Sequence, residues 1–149
     1  MTLDKVDREI LTILQKDSSK PYVEIANELG VTDGTIHQRV KKLKKLGIIK
    51  GFTLELDNEA IGLGSLSYAF ITVNPGFLEL ISKELSTYPN ILEVHETHNQ
   101  GDIQIKIRAA SQEEIRDIIV NKIRKIEGIS STEIIPVYKS WKEDNNLKI

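Results

Sequence analysis

The stretch ELGVTDGTIH, near the start of the chain, most constrains the fold, because it ends one helix and begins another within a few residues. Gly30 suits the left-handed conformation that commonly ends a helix. Thr32 is a preferred N-cap residue, and Val31 and Ile36 have the spacing of a hydrophobic staple at a helix start. This stretch therefore predicts two helices joined by a tight turn.

Apolar residues at helical spacing lie on both sides of this turn. Asp4 is a candidate N-cap for a first helix over residues 4–16, and a second helix is predicted over residues 23–29. The third helix runs to about Leu46 and stops at Gly47. The run IIKGFTLEL that follows has the β-branched and aromatic character of a strand. Three helices closed by a strand form a winged helix-turn-helix.

The third helix divides into an apolar stripe and a basic side. At about 100° per residue, Ile36, Val40 and Leu43 fall on one stripe, which predicts the buried face. Residues 1–50 hold ten Lys or Arg against seven Asp or Glu, whereas the whole chain has a net charge of -2. The charge is therefore unevenly distributed, which indicates that the two halves of the chain have different roles.

A basic helix in this setting predicts an interface with double-stranded DNA. Gln38 lies early in the helix, with Gly34 leaving room beside it, and its amide suits adenine in the major groove. The lysines further along lie where phosphates are the near partners. The predicted DNA-binding residues are Thr32, Asp33, Gly34, Thr35, His37, Gln38, Arg39, Lys41, Lys42, Lys45 and Lys50.

Structural alternatives stand beside these assignments. A lysine run outside a helix-turn-helix is ordinarily a solvated surface. Arg39 lies nearest the apolar stripe, so it either contacts a phosphate or braces the fold by pairing with Asp7 or Glu9 of the first helix. His37 is either a DNA contact or a half-exposed residue without a role.

The second half of the chain has the element order of a ferredoxin-like domain. Gly62 and Gly64 mark the boundary, and the alternation of Ile103, Ile105 and Ile107 with polar residues predicts a sheet buried on one face. The order is strand, helix, strand, strand, helix, strand, over residues 66–73, 77–88, 91–98, 103–109, 112–126 and 129–138.

The fold class that follows is α+β, with two domains. The domains are an N-terminal winged helix-turn-helix over residues 1–50 and a ferredoxin-like βαββαβ domain over residues 65–141. A strand and linker over residues 51–64 join them, and residues 142–149 are predicted to form a flexible tail. A four-stranded sheet with helices on one face leaves the other face uncovered, which indicates self-association.

Composition excludes several classes of site. The chain has no cysteine, which excludes disulfides, thiolate metal sites and cysteine nucleophiles. Apolar runs are short and the N-terminus lacks the plan of a signal peptide, so we expect a cytoplasmic protein without a membrane partner. His95 and His98 lie three apart on a predicted strand and point to opposite faces, so we expect no metal site there.

The motifs LDKVDREILTILQKDSS and EIANELGVTDGTIHQRVKKLKKLGIIKGFT, with the strand and helix order after them, resemble the leucine-responsive regulatory protein/AsnC family of transcription regulators, also called feast/famine regulators. The resemblance covers the chain from Leu3 to about Lys139. It implies a sequence-specific DNA-binding transcription regulator that forms a homodimer through its C-terminal domains, often assembled into tetramers or octamers. We expect neither a cofactor nor catalytic residues.

The resemblance also implies an effector, an amino acid or a related small molecule, bound at the interface between C-terminal domains of different dimers, near the loop THNQGDIQ. Asp102 would face the amino group of the ligand while backbone amides take its carboxylate. The chain departs from the family pattern at Gln104 and at Ile134, where the family often has Asp and Thr. The implied effector-binding residues are His98, Asn99, Gln100, Gly101, Asp102, Gln104 and Thr132. Without the family, NQGD is a hairpin turn.

Two other functions fit the same scaffold. Siroheme decarboxylases look similar to this family, and such an enzyme would need titratable groups that converge on a cleft of the second domain. Only His95, His98 and Arg108 qualify, and an enzyme would not need the lysines of the third helix. The second alternative is a DNA-compacting protein with little sequence preference. The sequence favours the regulator.

Overall fold

The structure is a computed structural model that describes residues 2–98 and 101–149. The chain forms two compact units. One consists of the residues up to Glu55 together with Lys142–Ile149, and the other is Leu56–Trp141. Residues 142–149, for which the sequence predicts a flexible tail, group with the N-terminal unit. They are exposed and have no regular secondary structure.

Three helices form most of the N-terminal unit. They are α1, Lys5–Lys16; α2, Tyr22–Leu29; and α3, Asp33–Lys45. The Asp4 carboxylate caps α1 by accepting a hydrogen bond from the Asp7 amide at 2.8 Å. Gly30 ends α2 with a φ of 65°, and the Thr32 hydroxyl accepts from the Thr35 amide at 3.2 Å at the start of α3. The predicted helix-turn-helix is confirmed, because each of its boundaries depends on a local capping residue.

One apolar cluster holds the three helices together. Its buried members are Ile10, Leu14, Ile25, Ala26, Ile36 and Val40, and Val31 packs against them. Leu43 is also fully buried, so the predicted apolar stripe of α3 is confirmed. The polar side of α3 therefore faces away from the core of its own unit.

The strand predicted over residues 48–56 does not form in this chain alone. Residues 51–57 have no regular secondary structure, and no strand of the described part of the chain pairs with them. A strand needs a neighbour to satisfy its amides and carbonyls, and sequence composition does not supply one. Lys50, expected on this strand, therefore lies in irregular backbone, and Phe52, Leu54 and Leu56 remain exposed.

The second unit is a four-stranded antiparallel sheet with helices on one face. The elements are β1, Ser65–Val73; α4, Leu78–Leu85; β2, Ile91–Glu96; β3, Ile103–Ala109; α5, Gln112–Asp117; and β4, Ile129–Pro136. After α5 the chain continues as a π-helical turn, Ile118–Lys122, and a 3-10 turn, Ile123–Lys125. The strand order is β2-β3-β1-β4, which confirms the ferredoxin-like prediction.

The two faces of this sheet differ in burial. Ile103, Ile105 and Ile107 of β3 are fully inaccessible and belong to the core beneath the helices. On the opposite face, Tyr68 and Phe70 of β1 are only half-buried. This open face is therefore partly apolar and lies uncovered in a single chain.

The bounds of β2 correct one sequence-based assumption. β2 ends at Glu96, whereas the prediction extended the strand to His98. His95 lies on the strand and His98 follows its end, so their side chains are not related by strand alternation. The strand ends early because the chain turns there, with the Thr97 hydroxyl donating to the Gly101 carbonyl at 2.7 Å.

No helix in the described residues is both long and apolar enough to cross a membrane.

Candidate nucleic-acid interface and effector loop

The outer side of α3 presents a continuous polar surface. Gly34, His37 and Gln38 are exposed in its first half, and the lysines are exposed in its second half. The space around Gly34 is open, because the nearest heavy atom to an added Cβ is the Thr32 hydroxyl oxygen at 4.0 Å, and Gly34 itself has no side chain. The backbone of α3 can therefore approach another surface closely beside Gln38.

Most of the lysines near α3 keep their charge free for an outside partner. In the described part of the chain, no ion pair or hydrogen bond engages the amino groups of Lys41, Lys42, Lys45 and Lys50. Lys44 differs, because its Nζ lies 4.6 Å from the centroid of the Phe52 ring. These cations repel one another, and an anionic partner would relieve that repulsion.

His37 lies between two neighbours that restrict its ring. Its Nε2 is 3.7 Å from the Asp33 carboxylate one turn earlier. The Tyr22 ring meets the imidazole edge to face, with ring centroids 4.7 Å apart. Sequence reasoning did not include Tyr22, because it belongs to α2 and only the packing of the helices brings it near His37.

Arg39 is engaged inside the domain. Its Nη1 donates to Oδ2 of Asp4 at 2.6 Å and to Oδ1 of Asp7 at 2.7 Å. Hydrogen bonding to the two carboxylates raises the pKa of Arg39, and the bond from Arg39 is the main cause that lowers the pKa of Asp4. The predicted partner Asp7 is present, whereas Glu9 lies near Lys5 at 3.8 Å instead.

Thr32 and Thr35 bond to each other at the start of α3. Their hydroxyl oxygens lie 2.8 Å apart, in addition to the capping bond from the Thr35 amide. Both side chains thus have a structural role at the helix end. Hydroxyls can rotate, so this role still leaves them able to donate to a phosphate.

The loop after β2 is tied closely to β1. The Asp102 carboxylate accepts from the Val73 amide at 2.7 Å, and the Asp102 amide donates to the Ile71 carbonyl at 2.9 Å. A Cβ at Gly101 would lie 3.2 Å from the backbone of Ile71 and from the Phe70 side chain. A residue with a side chain at position 101 would therefore require the loop or β1 to shift by a few tenths of an ångström.

The other predicted effector residues lie apart from one another. Gln104 is opposite Phe70 on the open face of the sheet, whereas Thr132 is opposite the buried Ile71 and so lies on the helix-covered face. The Thr132 hydroxyl accepts from Nε of Arg124. His98 is exposed, and Asn99 and Gln100 lie outside the described residues. A single chain therefore does not bring Gln104 and Thr132 to one site.

Comparison with known proteins matches two separate regions of the chain. A family described as winged helix-turn-helix DNA-binding matches residues 3–50. The Lrp/AsnC ligand binding domain matches residues 67–147, which is more than half of the chain. The chain belongs to the Lrp/AsnC family of transcriptional regulators.

Individual Lrp/AsnC relatives cover nearly the whole chain. HTH-type transcriptional regulator FL11 of Pyrococcus horikoshii is 37% identical over 147 residues, which is 99% of this chain and 97% of that protein. Regulatory protein AsnC of Haemophilus influenzae is 32% identical over 134 residues, 89% of both chains. The solved structure of E. coli AsnC is similar with a TM-score of 0.91 and 27% identity, covering 98% of this chain and 99% of that one.

The family assignment fixes the general activity. The chain is a DNA-binding transcription regulator with a domain for a small-molecule ligand, as its two matched regions and the names of its Lrp/AsnC relatives show. The predicted helix-turn-helix and ferredoxin-like fold are confirmed with it. The contribution of each predicted residue to DNA or effector binding stays a prediction.

Proposed function

We propose that this Lrp/AsnC regulator reads the major groove of DNA with α3. Gln38 supplies the base contact, because it is exposed early in the helix beside the close-approach position Gly34. A side-chain amide offers a donor and an acceptor together, which matches the N6 and N7 edge of adenine. The single observation that carries the proposal is the outward position of Gln38 next to a residue without a side chain.

The lysines provide the grip on the phosphate backbone. Lys41, Lys42 and Lys45 are exposed along the second half of α3, and Lys50 follows it. Contacts of this kind position the protein without reading sequence. Thr32, Asp33, Thr35 and His37 complete the interface at the start of the helix, where His37 is oriented by Tyr22.

Arg39 has a different role in this proposal. Both of its observed hydrogen bonds go to carboxylates of its own domain, so it holds α3 against α1. We assign Arg39 to the brace and not to the phosphate contacts. A phosphate would have to compete with two short charge-assisted bonds, which makes it the poorer partner.

The C-terminal unit binds a small-molecule effector, and we propose that the effector is an amino acid. Support comes from the match to the Lrp/AsnC ligand binding domain. A Neisseria meningitidis transcriptional regulator of the same fold, 19% identical with a TM-score of 0.93, was solved as a complex with L-Met. We place the effector at the loop around Gly101 and Asp102, with Gln104 to one side. Thr132 would contribute only from a second copy or after rearrangement.

The regulator acts as a homodimer, which can assemble further into a tetramer or octamer. The open face of the sheet carries Tyr68 and Phe70, and Ile135 beside them is 41% exposed. Among the residues that the structure describes, no strand of the single chain pairs with the apolar segment 51–57. A second copy that covers these surfaces would bury apolar area on both chains. Because it binds DNA, we place its action in the cytoplasm.

The three groups considered for an enzyme are spread along the sheet. His95 is opposite Gln104, four residues before Arg108 on β3, which separates them by roughly 13 Å along the strand. Arg108 is buried and donates to the carbonyls of Leu63 and Gly64 at 3.3 Å. His98 lies beyond the strand. This separation favours the regulator over catalysis by these groups.

Selection of duplexes from a random pool tests the reading role of Gln38. The native chain should enrich one recurring half-site, and Gln38→Ala should lose preference at one base pair of it while keeping the rest. Lys41→Ala should weaken binding to every duplex equally. If the native chain enriches no sequence, the DNA-compacting alternative is favoured. If Gln38→Ala selects the same sequences as the native chain, Gln38 does not read bases.

A further inference from the structure

An apolar groove runs along the N-terminal unit on a part of α1 that the proposed DNA interface does not use. One wall is formed by α1 and the residue before its N-cap, with Leu3, Leu11 and Leu14. The other wall is the segment after α3, with Ile48, Ile49 and Phe52. The groove has a volume of about 490 Å³, and the end of the chain, with Asn145, Asn146, Leu147 and Ile149, forms its remaining border. We call this the α1 groove.

The side chain of Gln15 holds the end of the chain at this groove by binding the backbone of Leu147. The Leu147 amide donates to Oε1 of Gln15 at 2.8 Å, and Nε2 of Gln15 donates to the Leu147 carbonyl at 3.2 Å. One side-chain amide thus satisfies both backbone groups of one residue, as a neighbouring strand would. This paired contact is specific for peptide backbone, since it needs a donor and an acceptor at a fixed spacing.

The side chains of the segment add little to this contact. Leu147 is 73% exposed, so its side chain is not the anchor. Ile149, two residues later and at 37% exposure, lies on the border of the groove with it. The site binds the backbone groups of the segment and offers only a shallow apolar border to its side chains. Such a site suits an extended peptide segment.

We infer that Gln15, at the edge of the α1 groove, is the centre of a peptide-docking site whose occupant is the chain's own C-terminal segment, residues 142–149, which thereby forms one wall of the groove. The segment belongs to the same compact unit as α1, although Gln15 and Leu147 are 132 residues apart along the chain. Only residues 137–141 connect it to the end of β4. We therefore assign the segment to the DNA-binding unit, where Gln15 holds it.

The docked segment also has a mechanical consequence for α3. It is held by the last turn of α1, and the first turn of the same helix carries Asp7, which with the N-cap Asp4 binds Arg39 of α3. Pulling residues 142–149 away from Gln15 would therefore act on the helix that braces α3. This consequence, unlike the docking itself, rests on the proposed role of α3 in DNA binding.

Two substitutions at one position separate backbone docking from a side-chain effect. Leu147→Pro removes the amide hydrogen that Gln15 accepts, whereas Leu147→Ala keeps it and changes only an exposed side chain. Amide exchange in the full-length chain should show protection at position 147 in the native chain and in Leu147→Ala. In Gln15→Ala this protection should fall about tenfold, the expected effect of one hydrogen bond. Thr12→Ala, an exposed change on the same helix, is the control and should leave the protection unchanged.

A truncated chain provides a second measurement that does not depend on these variants. A chain ending at Trp141 should melt about 4–8 °C lower in its N-terminal transition. Adding the peptide KEDNNLKI should restore the melting temperature, and the same peptide with proline in place of leucine should not. Unprotected exchange at Leu147 in the native chain, or no response to the peptide, would overturn the docking site. Protection that disappears on dilution would assign the occupant to a second copy and overturn the intramolecular assignment.

Binding to duplex DNA then tests the consequence for α3. Leu147→Pro should weaken DNA binding several-fold relative to Leu147→Ala, and equal affinities would overturn the link between docking and α3. The exchange and melting measurements contain no DNA. A native chain that shows docking but binds no duplex would therefore contradict the proposed function and leave the docking site intact.

Discussion

The guanidinium of Arg39 lies 2.7 Å from the carboxylate of Asp7, whose side chain is only 2% exposed. The contact fixes α3 against α1 at a point where α3 turns its other side to solvent. A nearly buried carboxylate needs a partner of opposite charge, and Arg39 supplies it. The cations of α3 therefore have two different roles. Arg39 forms an ion pair within the domain, whereas the lysines point to solvent.

Replacing Arg39 by Ala should destabilise the N-terminal unit by about 2 kcal/mol, because Asp7 would be left without its charged partner. Chemical denaturation followed by circular dichroism measures this loss. Lys41→Ala is the matched control, a solvent-exposed cation on the same helix, and should change stability by less than about 0.5 kcal/mol. If Arg39→Ala unfolds like the native chain and only loses affinity for DNA, then Arg39 is a phosphate contact.

Acid should weaken the same brace. Bonds from Arg39 and from the Asp7 amide lower the pKa of Asp4 below its usual value of 3.8, so its contribution to stability is fully present above that pH. The contribution is lost as the pH falls through the lowered pKa. Asp4→Asn keeps an N-cap residue but not the charge. We expect this variant to be less stable than the native chain at about pH 6, with the difference shrinking as the pH falls below 3.8 and through the lowered pKa of Asp4. A difference that stays constant over this whole range would contradict this account.

Asp102 should contribute to stability in the absence of any ligand. Its carboxylate accepts from the Val73 amide at 2.7 Å, where β1 and β4 shift register between Thr72 and Val73. Asp102→Ala leaves that amide without an acceptor and should cost about 1–2 kcal/mol in the C-terminal unit. Asp102→Asn retains an oxygen there and should cost less. Unchanged stability together with the loss of amino acid binding would make Asp102 a ligand contact only.

Gly128 is required by close packing as well as by its backbone. A Cβ there would lie 2.3 Å from the Phe77 ring, at a φ of +94°. Gly62 has a similar φ of +79° with nothing within 4 Å, so Gly62→Ala reports the backbone strain alone. Gly128→Ala should therefore destabilise the C-terminal unit by about 1–3 kcal/mol more than Gly62→Ala. Thermal melting compares the two variants, and equal costs would show that Phe77 moves aside freely.

Sequence alone predicts the features that depend on local signals. Asp4, Gly30 and Thr32 mark the helix ends, because capping involves residues within one turn. The alternation of Ile103, Ile105 and Ile107 identifies the buried face of β3 for the same reason. The outward position of Gln38 also follows from helical spacing.

Features that depend on distant partners are missed or wrong. The strand predicted over residues 48–56 does not form in this chain alone, because pairing requires a neighbour that composition does not reveal. Thr132 and Gln104 are predicted to share a site, yet strand register puts them on opposite faces. The docking of Leu147 on Gln15 joins two ends of the chain, and no local pattern indicates it. The pairing of Arg39 with Asp4 has a usable signal, since Asp4 and Asp7 stand three residues apart at the start of one helix.

The most direct test of the central claim, that the lysines beside α3 grip phosphates, is the salt dependence of duplex binding. If a dimer neutralises about six phosphates, log affinity should fall against log salt with a slope of about -5. Lys42→Gln should weaken binding and make the slope shallower by about 1 for each phosphate that the variant no longer neutralises. Lys83→Gln, the same charge change on α4, should leave the slope unchanged. Absent or salt-independent duplex binding, or equal slopes for both variants, would contradict the account.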